Sequence, residues 1–205
     1  MLAMLCLLCA AATSTCSHTK AFTTADGAKY VYDYIPAKGN NATFALIHGY
    51  PATRHDWKHQ IQLLSSAGYG IIAPDCLGYG DSDMPLDVSE YRLKRLAAHS
   101  DELFEHEHLS KVIGVGHDWG TILLSQTAAW HSNRFEKLVF ISVGFSAPGF
   151  FFDIDALNFQ SLESFGFTQL GYWYFLNSYN AADLVAERVN TITAGILLQP
   201  RFPSG

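Results

Sequence analysis

The chain has 205 residues, 49% hydrophobic and 16% charged, which is enough to bury one sizeable core and unlike a disordered polymer. Its formal net charge of -6 argues against a nucleic-acid partner, because phosphate tracking needs clustered Lys and Arg, and a small neutral ligand fits better. Residues 1–12 are an apolar run followed by a small, polar stretch at 13–17, so 1–17 reads as a signal peptide without the usual basic start, or as an odd leader. The run is too short for a membrane span, which needs about 20 residues. A secreted and a cytoplasmic location both stay open, and the single sequon Asn41-Ala42-Thr43 does not decide between them. Cys6, Cys9 and Cys16 crowd the leader while Cys76 stands alone, so no disulfide framework is expected. The Cys6-x-x-Cys9 pair lacks the second pair or βαβ context of a zinc or redox site.

From residue 20 onward, apolar strands alternate with helical segments, the pattern of an α/β fold with a mostly parallel sheet and helices on both faces. Strands at 21–24 and 29–35, joined by the Asp26-Gly27 turn, are expected to form an antiparallel edge. Residues 43–48 are almost wholly apolar, as for a strand buried on both faces. A helix is predicted over 57–67 with Gly68 ending it, then a strand over 69–74. Leu93, Leu96, Ala97, Leu103 and Phe104 give 91–108 a helical period. A strand at 111–116, a helix at 121–130 and another central strand at 136–143 follow. After Gly149 the chain turns aromatic-rich and helix-like, through Phe159, Phe165, Phe167, Tyr172, Trp173 and Tyr174, with a helix at 181–189; this reads as a pocket wall or lid. The predicted organisation is a leader at 1–17, core at 18–150, partial helical lid at 151–189 and an unmatched tail at 190–205.

Gly116-His117-Asp118-Trp119-Gly120 falls between a predicted strand and a predicted helix, the place of a nucleophile elbow. Its central residue is Asp, not Ser or Cys. A carboxylate nucleophile attacks an sp³ carbon and leaves an alkyl ester, so the implied chemistry is epoxide opening or carbon–halogen displacement. The competing reading makes Asp118 the N-cap of a helix beginning near Thr121, a role Asp fills well. Two further motifs weigh against it. His48-Gly49-Tyr50-Pro51 follows a central strand, where a loop N–H can complete an oxyanion hole with the N–H of Trp119. Asp75-Cys76-Leu77-Gly78-Tyr79-Gly80-Asp81-Ser82 follows the next strand. Three motifs at strand ends place the ligand site at the carboxyl edge of the sheet.

These three segments resemble the soluble epoxide hydrolase branch of the α/β-hydrolase fold, from about residue 19 to 189. The resemblance implies an ester-forming Asp118, an oxyanion hole from the N–H groups of Tyr50 and Trp119, an often cis Tyr50–Pro51 bond, and lid tyrosines that protonate the epoxide oxygen. Within Leu170-Gly171-Tyr172-Trp173-Tyr174-Phe175 it points to Tyr172, with Tyr174 as rival and lid packing as the bland alternative for either. Haloalkane dehalogenases share the Asp-Trp pair but usually carry Asn or Glu where this chain has Tyr50. The family also supplies later strands, a second tyrosine, an acid and a histidine that activates water. Here the only histidine after Asp118 is His131, at a helix end, so the chain is expected to be C-terminally truncated and to turn over poorly if at all. An uncovered sheet edge would follow. The alternatives are a dehalogenase-like enzyme and a non-catalytic remnant that keeps the pocket.

Other pairings are weaker. His55 and His59 at i, i+4 lack a third metal ligand, and Glu105-His106-Glu107-His108 reads as a solvated helix end. Gly114-Val115-Gly116 has Trp119 where a dinucleotide loop needs its third glycine, so no metal and no organic cofactor is expected.

Overall fold

The computed structural model describes residues 18–149 and 151–187, in two compact units, Met1–Gly149 and Phe150–Gly205. The leader, its cysteine pair, the last two residues of the helix expected at 181–189 and the tail 190–205 lie outside the described residues.

The first unit is built on a six-stranded sheet. Its strands are β1 (Thr19–Thr23), β2 (Lys29–Ile35), β3 (Thr43–Ile47), β4 (Gly70–Pro74), β5 (Val112–His117) and β6 (Phe135–Ile141), in the order β1-β2-β4-β3-β5-β6. The β1–β2 and β2–β4 pairs are antiparallel and the rest parallel, so the Asp26-Gly27 turn does make an antiparallel edge. Helices α1 (Lys58–Ser66), α2 (Leu93–His106) and α3 (Trp119–Trp130) are the crossovers.

Strand side chains alternate between the faces, and the core divides accordingly. Ala45, Ile72 and Val112 pack with Leu103 and Phe104 of α2, whereas Leu46, Ile71, Ala73 and Val115 pack with Trp57 and against Ile61 and Leu64 of α1. Burying an aliphatic side chain of this size contributes ~1.5–3 kcal/mol. Both faces of β3 and β4 are therefore covered, which explains their unbroken apolar sequence.

Several predicted boundaries move, each for a local reason. Thr24 leaves β1 because its carbonyl accepts from Gly27 N at 3.0 Å and its hydroxyl from Ala28 N at 2.9 Å, making the turn. The helix expected from 57 is preceded by a 3₁₀ turn at Arg54–Trp57, where Thr53 and Asp56 form a capping box. Gly68 ends α1 at φ 88°, with Gly68 N bonded to Ser65 O and Tyr69 N to Leu64 O, a Schellman closure. Tyr91 lies outside α2, in a 3₁₀ turn at Val88–Tyr91 capped by Asp87, and extended Arg92 separates the two. α3 starts at Trp119, two residues before its predicted start.

Two sequence expectations fail. Residues 136–143 read as a central strand, but β6 is the edge strand of the described sheet and ends at Ile141, before Ser142 at φ 74°. Leu138, Val139 and Ile141 are exposed there. Glu107 is not a solvated residue: its side chain is buried, accepts from the Tyr32 hydroxyl and pairs with Lys20 Nζ at 2.9 Å.

The second unit contains α4 (Ile154–Phe165), α5 (Gly171–Leu176) and α6 (Ala181–Glu187). Asp153 caps α4 through Ala156 N at 2.9 Å, and Asn158 Oδ1 accepts from Leu170 N at 2.9 Å, tying α4 to the turn before α5. Many of its aromatics are exposed, among them Phe159, Phe165, Phe167, Tyr172 and Tyr174. No helix of the described residues is long and apolar enough to cross a membrane.

Candidate active site

Asp118 occupies the sharp turn between β5 and α3, at φ 54° and ψ -125°. A non-glycine residue in that region carries ~1–3 kcal/mol of backbone strain, which the surrounding bonds must hold. Its own N–H donates to Ile141 O at 3.2 Å, and its carbonyl accepts from Thr121 N at 2.9 Å and Thr121 Oγ1 at 2.6 Å. The side chain makes no capping hydrogen bond to α3, so the helix-cap reading of Asp118 does not hold. Oδ1 instead accepts from Tyr50 N at 2.8 Å.

The structure thus brings Tyr50 and Trp119 to Asp118. The loop after β3 crosses the elbow so closely that only glycine fits at 49. A methyl there would strike the Asp118 carboxylate and lie 2.6 Å from Trp119 N. Trp119 is also the first residue of α3, where the helix dipole favours negative charge. Tyr50–Pro51 is cis, as the resemblance implies. The geometry suits one carboxylate oxygen held by backbone N–H while the other attacks.

Support for that loop comes from residues the sequence did not mark for it. His48 is 2% exposed; its Nδ1 lies 3.0 Å from Gly49 O, and its Nε2 accepts from Cys76 N at 3.0 Å. Burial holds its imidazole below the ordinary pKa, against the opposing pull of the Gly49 carbonyl, Asp75 and Asp56. The Cys76 thiol is pushed up to about 12, by burial and then by Asp75, which removes it as a nucleophile. Asp75, 0% exposed, accepts from Arg54 N at 2.8 Å, from the Arg54 guanidinium and from Asp81 N at 3.0 Å. Arg54 also reaches Asp81 Oδ2 at 2.8 Å and stands 3.5 Å from Asp33. Burial draws the Arg54 pKa down, but the carboxylates of Asp81 and Asp75 outweigh it and the net shift is upward. A buried arginine has no sequence signature, whereas His48 and Asp75 head the very motifs that mark the loops.

His131 sits beyond the far end of α3, a helix of 12 residues and so ~18 Å long, where its Nδ1 is 3.4 Å from Asp101 Oδ2. Tyr172 lies on α5 of the second unit and is exposed; the Tyr174 hydroxyl donates to Asp155 of α4, which raises its pKa. A cavity of about 300 Å³ behind the loop is lined by His48, Trp57, Gln60, His117 and Ile141 among others. A second, of about 370 Å³, lies over the β1–β2 turn beside Asp26, Glu90 and Arg95, a different place from Asp118. Among the described residues no three His, Cys, Asp or Glu side chains gather to hold a metal ion, and His55 and His59 are both exposed.

A strand-turn-helix elbow on a mostly parallel sheet, crossed by the loop from the neighbouring strand, defines a hydrolase scaffold. The chain belongs to the alpha/beta hydrolase fold family, which matches over residues 43–204. It is 36% identical over 112 residues to epoxide hydrolase 3 of Siraitia grosvenorii, covering 55% of this chain and 35% of that protein. It is also 36% identical over 98 residues to epoxide hydrolase A of Mycobacterium tuberculosis, covering 48% of this chain and 30% of that one. The crystal structure of an epoxide hydrolase from Vigna radiata superposes with a TM-score of 0.70 at 27% identity, covering 90% of this chain and 58% of that one. The chain therefore spans about a third of the length of these curated relatives.

Proposed function

We propose that the protein opens a small-molecule epoxide through an ester on Asp118, towards a vicinal diol. The observation that carries this reading is the Tyr50 N–H to Asp118 Oδ1 hydrogen bond, made by a strained aspartate at the elbow. With Oδ1 held, Oδ2 attacks a ring carbon, the ring C–O bond breaks, and the ring oxygen takes the proton of Tyr172. Water then adds to Cγ of Asp118, and the electron pair moves to Oδ1, which the N–H groups of Tyr50 and Trp119 stabilise. Collapse releases the diol with the Oδ2 oxygen, leaves a water oxygen in the carboxylate, and returns a proton to Tyr172.

The attacking water must lose a proton, and no described histidine is hydrogen-bonded to Asp118. General-base help is worth ~10²–10⁴-fold at this step, so the ester itself is read as well as the diol. Incubation with an aryl epoxide should add one substrate mass to the protein, read by intact-mass spectrometry and mapped to Asp118. Halide release from a haloalkane without any epoxide adduct would favour dehalogenation. A folded sample giving neither would favour a non-catalytic remnant.

A further inference from the structure

The Gly49 carbonyl and the Tyr50 N–H are the two ends of one peptide unit. The first faces His48 Nδ1 at 3.0 Å and also accepts from Ala52 N at 3.0 Å, and the second donates to Asp118 Oδ1 at 2.8 Å. The partners of the imidazole fix its protons. Cys76 N–H can only donate, so Nε2 must be the bare nitrogen; Gly49 C=O can only accept, so Nδ1 must carry the hydrogen. The ring plane is held from the side by Tyr79, edge-on at 5.1 Å and 74°.

We propose that His48 is a positioning residue for the nucleophile: its neutral Nδ1–H tautomer orients and polarises the Gly49–Tyr50 peptide, whose N–H then holds Asp118 Oδ1. The inference rests on the reading of Asp118 as nucleophile. A rotated peptide would aim its carbonyl at the carboxylate and remove the donor. The imidazole bond on the carbonyl side adds to that of Ala52 N in opposing the rotation, and it strengthens the N–H on the other side, since bonds in a chain polarise one another. An apolar residue would serve packing alone; it would leave the part-buried Cys76 N–H without its imidazole acceptor and the Gly49 carbonyl held by Ala52 N alone. The lowered pKa agrees, because a protonated ring would turn a donor against the Cys76 N–H.

The test separates the two ring nitrogens. In His48→Asn the amide nitrogen stands near the place of Nδ1, and in His48→Gln near that of Nε2. With an aryl epoxide, His48→Asn should form the Asp118 adduct within about 3-fold of wild type, and His48→Gln should slow it on the order of 10-fold. The half-saturating epoxide concentration should stay unchanged in both. Equal losses in the two variants would reduce His48 to packing and overturn the proposal. Nitrogen-15 spectra of the wild-type chain at pH 7 give a check independent of variant folding. A proton on Nδ1 and a pyridine-like Nε2 are expected, and an Nε2–H tautomer or an imidazolium would overturn the proposal. Should wild type take up no epoxide, the reaction reading fails by itself. The Tyr50 amide proton then still decides: an upfield move in His48→Gln but not in His48→Asn supports the positioning role, and equal shifts refute it.

Discussion

Two aspartates stand at the carboxyl ends of parallel strands in this sheet, Asp75 after β4 and Asp118 after β5, and the fold treats them in opposite ways. Asp75 is wholly buried, its two oxygens taken by Arg54 N, the Arg54 guanidinium and Asp81 N. Asp118 is only part-buried, sits on strained backbone and accepts from Tyr50 N on Oδ1. The residue type is the same; the partners make Asp75 a fastener and, in the proposed function, leave Asp118 to act as the reagent. Occupying both oxygens makes an anion inert, whereas the proposed function needs one oxygen of Asp118 held and the other able to attack.

The comparison breaks most sharply at Asp118. Asp118→Asn should abolish the epoxide adduct in intact-mass spectra, because the amide is no nucleophile, while the urea midpoint of tryptophan fluorescence stays near wild type. A persistent adduct mapped to another residue would end the reading. Asp75→Asn should do the reverse. Arg54 would be left buried with part of its charge unpaired, a loss of ~3–5 kcal/mol, visible as a fall in the urea midpoint. If Asp75→Asn left the midpoint unchanged but blocked the adduct, Asp75 would be reagent and not fastener.

Gly49→Ala sharpens the same contrast at the contact between the loops. The added methyl would meet the Asp118 carboxylate and Trp119 N, so the loop must shift and the Tyr50 donor with it. A drop of ~10²-fold in adduct formation is expected from the displaced donor, with ~1–3 kcal/mol lost to overpacking. Adduct formation at the wild-type rate would show that the Tyr50 N–H is not needed for the first half-reaction.

The glycines and strand ends of this arrangement were legible in the sequence because they are local. Gly116, Gly120 and Gly49 mark turns and close approaches, and the apolar runs at 43–48 and 69–74 end within a residue of β3 and β4. What was not legible depends on contacts across the chain. Nothing near Arg54 says that it will be buried against an aspartate 21 positions away, and nothing in Glu105-His106-Glu107-His108 says that Glu107 will meet Tyr32. β6 misled for the same reason: its composition is that of a buried strand, while its exposure depends on what lies beside it. The limits of α4 and α5 were obscured because aromatic side chains there follow no single period.

The smallest effect follows from the imidazole that joins the two loops. His48 binds a proton less readily in the folded protein than in the unfolded chain, where the ordinary value is ~6.5. The unfolded state therefore takes up protons first as the pH falls. Stability is fully present above pH ~6.5 and declines as the pH drops below it, by no more than ~1.4 kcal/mol per pH unit for one proton. The groups facing the ring, Asp75 and Asp56, oppose the shift without reversing it. Carboxylates work in a lower window. Arg95, then Thr24 and His99, hold Asp26 far below the usual range, so its contribution is present above pH ~4 and is lost only under stronger acid. Urea midpoints taken from pH 7 to 5 should thus fall in wild type and fall less in His48→Asn, the two curves converging in slope below the region where His48 titrates. Parallel curves over that range would mean that His48 takes up its proton equally in both states. The Cys76 N–H would then have to find another acceptor, and the link from the loop of Asp75 to that of Asp118 would not run through this ring.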